Sequence, residues 1–122
     1  MRWLATVLPI LLAACAHQPG LLERPDRVWA APRSLDATAA CVIRVLDERG
    51  SRLTPPVTHG KRVTERGEAY EIRPARRKAV TAETYHVRLE KAGDRITRMS
   101  LFAESPWRKD MIEALSPCGR RG

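Results

Sequence analysis

The sequence predicts an α+β domain in which two helices pack on one face of a three-stranded antiparallel meander. Apolar residues recur at helical spacing from Leu35 to Leu46 and again from Trp107 to Leu115. Between these stretches, apolar and polar residues alternate in runs separated by turn-forming residues. Helices and strands segregated in this way describe a two-layer α+β arrangement rather than repeated parallel units.

Ser34 is a good N-cap and Asp36 lies favourably in the first turn of a helix whose stripe is Leu35, Ala39, Val42, Ile43 and Leu46. Asp47-Glu48-Arg49-Gly50 supplies its stop. Cys41 falls on the flank of the stripe, near Thr38 and Val45, which suits a bond to a segment passing beside the helix. From Ser51 to Gly67, the pair Pro55-Pro56 and the glycines Gly60 and Gly67 break any long period. This stretch reads as loop with a short edge strand around Lys61 to Thr64.

Tyr70 and Ile72 then alternate with Glu71 and Arg73, and Tyr85, Val87 and Leu89 with His86, Arg88 and Glu90, giving two strands. Lys91-Ala92-Gly93-Asp94 is a hairpin connection into a third strand near Arg95 to Ala103. In that strand Ile96 and Phe102 share one parity while Thr97, Met99 and Leu101 share the other, which a bulge or a cover on both faces would reconcile. Ser105 and Pro106 fit the cap and first position of a second helix carrying Trp107, Met111, Ile112, Ala114 and Leu115. Pro117 is expected to end it, with Cys118 directly after.

The N-terminus has another character. Arg2 precedes an apolar run from Trp3 to Leu12, too short to span a bilayer, and the run closes on Leu12-Ala13-Ala14-Cys15. Those four residues resemble the lipobox of bacterial lipoproteins. The resemblance implies that residues 1–14 are a signal peptide, that Cys15 carries the lipid as the first mature residue, and that the protein sits on the periplasmic face of a membrane. Ala16, in place of Asp, is similar to lipoproteins sorted to the outer membrane. Residues 15–33, with Gln18-Pro19-Gly20, Pro25 and Pro32, read as the lipidated cysteine and a tether. Within that tether Trp29 either packs back onto the domain or stays partly exposed. Residues 34–122 then form the single small domain.

In the oxidising periplasm the two remaining cysteines, Cys41 and Cys118, have one available pairing, and no Cys-x-x-Cys or nearby His favours a reactive or metal-binding pair. A disulfide between them would close the two-helix, three-strand fold. The order helix, three strands, helix, with a cysteine in each helical region, is similar to a recurrent type of small proteobacterial lipoprotein, a resemblance that brings no activity with it.

The chain carries 22 basic against 14 acidic residues, a formal charge of +8 that falls to +7 when Arg2 is removed. Only Lys61, Lys78, Lys91 and Lys109 among the basic residues are lysine, and guanidinium pairs well with phosphate and carboxylate. The densest run is Arg73-Pro74-Ala75-Arg76-Arg77-Lys78, between two strands, where Arg73, Arg76, Arg77 and Lys78 are the candidate contacts for an anionic surface. Outside the cytosol such surfaces are phospholipid head groups, peptidoglycan carboxylates and acidic proteins. Secretion, and the lack of aromatic residues among the cations, argue against nucleic acid.

No Gly-x-Ser-x-Gly elbow, His-Glu-x-x-His helix or phosphate-binding Gly loop occurs, so neither catalytic residues nor a metal or cofactor is expected. His59 reads as an exposed loop residue, His86 as a residue on the solvent face of its strand, and Asp47 and Glu48 as surface ion-pair partners of Arg44 and Arg49. The functional expectation is a non-enzymatic, lipid-anchored envelope protein that binds or assists assembly through its open sheet face and basic connection. The alternative is an inhibitor or immunity protein against an envelope-targeting hydrolase, which a +7 domain suits only if the target is acidic. A hydrolase using His86 or His59 ranks last.

Overall fold

A computed structural model describes residues 24–53, 56–75 and 85–120. Strand β1 (Arg27–Ala31) is followed by helix α1 (Leu35–Gly50). Strands β2 (His59–Thr64), β3 (Ala69–Pro74), β4 (Tyr85–Gly93) and β5 (Ile96–Ala103) come next, and helix α2 (Ser105–Gly119) closes the order. The sheet is fully antiparallel with strand order β1-β5-β4-β3-β2. It therefore has five strands rather than the three that the alternation pattern predicts. The three expected strands are its centre, and each edge carries one more.

Both additional strands are short, bounded by turn-forming residues and poor in large apolar side chains. β1 lies between Pro25 and Pro32, inside the stretch read as tether, and only Trp29 and Ala31 of its five residues are buried. Trp29 packs back onto the domain, so closely that a Cβ on Gly119 would fall 2.4 Å from its ring. Arg27–Ala31, inside the stretch read as tether, is thus paired with β5. β2 extends the expected edge strand back to His59, and its exposed Gly60, Lys61 and Arg62 are the residues that keep a sheet edge from pairing with other chains.

α1 begins at Ser34, whose Oγ accepts from the Ala37 N–H at 3.2 Å, and it ends at Gly50. The absent side chain at Gly50 matters, because a Cβ there would meet the Val57 carbonyl oxygen at 2.0 Å. α2 departs from its expected limits at both ends. Glu104, not Ser105, is the N-cap, and the helix continues through Pro117 to Gly119, so Cys118 lies inside its last turn. A proline this close to the end forfeits one backbone hydrogen bond, and the burial of Cys118 and Gly119 holds the turn in place.

The two helices lie together on one face. From them Val42, Leu46, Met111 and Leu115 meet Ile72, Val87, Leu89, Met99 and Leu101 of the sheet in a continuous buried core. The parity conflict in β5 is resolved without a bulge in that strand, since the register shift against β4 falls between Lys91 and Gly93 of β4 and β5 alternates throughout. Thr97, Met99 and Leu101 face the helices, while Ile96 and Phe102 face away. Cys41 and Cys118 form the expected disulfide, which joins α1 to α2 across 77 residues.

Candidate functional site

The face of the sheet turned away from the helices is a charged mosaic. Antiparallel register sets Arg62, Glu71, Arg88 and Ser100 in one row across β2, β3, β4 and β5, and Glu90 beside Arg98 in the next. Within strands, the Arg73 Nε–H donates to Glu71 Oε1 at 2.9 Å, and Arg88 Nε lies 3.6 Å from Glu90 Oε2. Four arginines thus share this face with two glutamates. Partial burial alone would raise the Glu71 carboxyl, but the hydrogen bond and charge of Arg73, with His86 and Arg62 nearby, outweigh it and hold Glu71 below the usual carboxylate range. His86 is half-buried and stacks on Phe102, with ring centroids 4.7 Å apart, so it is a packed residue of this face rather than a fully solvated one.

Arg73 is the one predicted surface-binding cation within the described residues, and it lies on this face at the end of β3. Cys15, Arg76, Arg77 and Lys78 lie outside them. The described residues next to them have defined places. The Ala103 N–H donates to Asp26 Oδ2 at 2.7 Å, the Asp26 N–H donates to the Leu101 carbonyl, and Tyr85 pairs with Ala103. At β3 the Ala75 N–H donates to the Thr58 carbonyl. Asp26, Ala75 and Tyr85 therefore lie at one end of the sheet. The chain coming from Cys15 joins the domain at the same end where β3 finishes and β4 begins.

Beneath this end, on the helix side, is a buried polar chain that sequence reasoning missed. Both the backbone N–H and the Nδ1–H of His59 donate to Asp47 Oδ1, at 2.8 and 2.9 Å, and Nε2 accepts from the Tyr85 hydroxyl at 2.8 Å. The His59 side chain is 1% exposed, which corrects its reading as an exposed loop residue. Asp47 is bonded to His59 instead of a surface arginine, while Glu48 lies 4.0 Å from Arg52 and Arg49 pairs with Asp110. Burial pushes the His59 pKa below its ordinary value against the opposing pull of Asp47, so the ring is neutral and its Nδ1–H tautomer satisfies both neighbours. Burial likewise raises the Tyr85 phenol, with Asp47 adding to the effect and Arg49 opposing it.

An aspartate orienting a histidine toward a hydroxyl has the connectivity of a nucleophile-activating triad. Here the hydroxyl is a buried phenol, 8% exposed as a residue and packed against Trp107, and both ring nitrogens of His59 are engaged. The arrangement fastens the end of α1 to β2 and β4. His86 lies on the opposite face of the sheet and does not join it. No local signal could have revealed the chain, since its members stand 12 and 26 residues apart. Among the described residues no group of three His, Cys, Asp or Glu side chains is placed to hold a metal ion, and no helix is long and apolar enough to cross a membrane.

No protein-family model matches the chain, and no curated protein matches it in sequence.

Proposed function

We propose that this is a lipid-anchored periplasmic protein of the outer membrane, acylated at Cys15, that binds an anionic envelope component without catalysing a reaction. The observation that carries the reading is the shared end of the sheet: the residues flanking the basic run Arg76-Arg77-Lys78 lie at the same end as Asp26, where the chain from Cys15 meets the fold. From Cys15 to Asp26 a fully extended chain reaches at most about 40 Å. The anchor thus keeps this end within reach of the bilayer, and a basic residue close to an anionic membrane contributes about 1 kcal/mol. The arginine-rich outer face, next to that end, extends the cationic surface. Phospholipid head groups are the nearest anionic partner, and an acidic envelope protein would use the same cations.

Two measurements test the reading separately. Cys15→Ser should move the protein from the membrane pellet to the soluble periplasmic fraction; an unchanged pellet would refute the anchor. The same soluble variant should sediment with anionic phospholipid vesicles in a salt-sensitive manner, because screening at physiological ionic strength acts over about 8 Å. Neutralising Arg76, Arg77 and Lys78 together should weaken that association and flatten its salt dependence. Equal binding by both proteins would refute the role of the connection.

A further inference from the structure

The two sulfurs of the disulfide have unlike surroundings. Cys118 is fully buried in the last turn of α2, whereas Cys41 is half-buried on the flank of α1. Two guanidinium groups approach Cys41: Arg33 Nη1 lies 3.6 Å and Arg44 Nη2 3.9 Å from its Sγ. Arg33 is held there by backbone acceptors as well, with Nη1 donating to the Cys118 carbonyl at 3.0 Å and Nη2 to the Arg120 carbonyl at 3.4 Å. Adjacent arginines favour a thiolate over a thiol. The bond therefore joins a half-buried cysteine in a cationic setting to a fully buried one.

We propose that Cys41 is the thiol-exchange site of this protein, the sulfur through which a dithiol oxidoreductase or a small anionic thiol makes and breaks the disulfide. In the opening direction a thiolate of the partner attacks Cys41 Sγ. A mixed disulfide forms, the bond to Cys118 breaks, and the Cys118 thiolate takes a proton from water. A second thiolate, the dithiol's own or that of a second small-thiol molecule, then attacks the partner sulfur of the mixed disulfide and releases Cys41 as a thiolate between Arg33 and Arg44. The partner is oxidised to its disulfide and supplies both electrons. Closure runs the same steps backwards, starting from attack of the Cys41 thiolate on the partner's disulfide. The fitting partner carries negative charge beside its reactive sulfur, and the inference holds whether or not the protein is anchored or binds lipid.

The test uses the mature chain with Cys15→Ser and one further cysteine replaced. With Cys118→Ser, the pH dependence of iodoacetamide alkylation at Cys41 should give a pKa at least one unit below the ordinary thiol value of about 8.5. Adding Arg33→Gln and Arg44→Gln should return it to that value and slow alkylation at pH 7 several-fold. With Cys41→Ser, Cys118 should alkylate at least tenfold more slowly than Cys41 until denaturant is added. An ordinary pKa at Cys41 that ignores both arginines, or equal reactivity of Cys118, would overturn the proposal. Should either variant fail to fold, the disulfide-intact protein can be exposed to glutathione, quenched with acid and mapped by mass spectrometry. The mixed disulfide is expected at Cys41, and its appearance at Cys118 would overturn the assignment.

Discussion

The two faces of the sheet are separated by a single residue step along each strand, yet they are stabilised by different physics. Toward the helices, Ile72, Val87, Leu89, Met99 and Leu101 are each 0% exposed and form the core. One residue away, Glu71, His86, Arg88, Glu90 and Arg98 make a mosaic of half-buried and exposed polar groups. Burial of a large aliphatic side chain contributes about 1.5–3 kcal/mol, whereas exposed ion pairs contribute about 0–1 kcal/mol each. The inner face therefore carries the stability, and the outer face can hold its charges for another purpose at little energetic cost.

The largest expected effect tests that division directly. Leu101→Ala should lower the free energy of unfolding by about 2–5 kcal/mol, as other buried leucine truncations do, and Arg88→Ala by no more than about 0.5 kcal/mol. Urea titration of the two variants would measure the difference. Comparable losses would mean that the outer face is structural, which would end its use as a surface available for binding.

Next in size is the disulfide. Its 77-residue closure is valued at about 4 kcal/mol in the loop-entropy treatment, before any native strain is subtracted. Reduction, or Cys41→Ser with Cys118→Ser, should lower the urea midpoint by a corresponding amount while leaving the wild-type far-UV circular dichroism in place below the transition. The bond ties helix to helix behind the core, so reduction should leave vesicle association of the folded protein unchanged. A loss of association would show that the inner and outer faces are coupled.

A pH dependence follows from the Asp47–His59–Tyr85 chain on the inner side. Burial holds His59 below its ordinary pKa in the fold, so the unfolded chain takes up the proton first as the solution is acidified. The stabilisation from a neutral His59 is complete above about pH 6.5 and is lost progressively as pH falls below that value toward the folded pKa. Tyr85 acts in the opposite range: its raised phenol pKa stabilises the fold at neutral pH and ceases to do so as pH rises past about 10. Unfolding midpoints of the wild type and of His59→Gln, followed from pH 7.5 to pH 5, should converge on acidification. Parallel curves would mean that His59 titrates alike in both states.

These same elements show what local sequence can and cannot reveal. The two helices and three central strands were legible because Val42 and Leu46, or Val87 and Leu89, repeat at a period that only one conformation places on a single face. The disulfide was legible because only one pairing remained. β1 was hidden because Pro25 and Pro32 bracket a strand whose one large buried residue is Trp29; the partner that makes it a strand, β5, lies some 70 residues on. His59 reads as an exposed loop residue for a related reason. Gly60 and the prolines before it describe a loop, while the residues that bury it come from α1 and β4. Arg73 stands out in the sequence as a cation of the basic run, but its pairing with Glu71 and the row through Arg62 and Arg88 exist only once register is set.

The smallest expected change in stability is also the most discriminating between the faces. Glu71 is held in its charged form chiefly against the cost of partial burial, by Arg73 with His86 and Arg62, and it offsets the positive charge of the outer face at the centre of its row. Glu71→Gln keeps the side chain's shape and an acceptor for Arg73 while removing one negative charge. A partly exposed pair of this kind is worth less than about 1 kcal/mol, so the unfolding midpoint at pH 7 should hardly move. Association with anionic vesicles should strengthen and become steeper in its salt dependence, because the arginines around position 71 would no longer be balanced by it. A gain in binding without a matching change in stability is the signature of a charge placed for recognition. Weaker binding, or a stability loss as large as that of Leu101→Ala, would instead assign Glu71 to holding the sheet together and would locate the binding surface elsewhere.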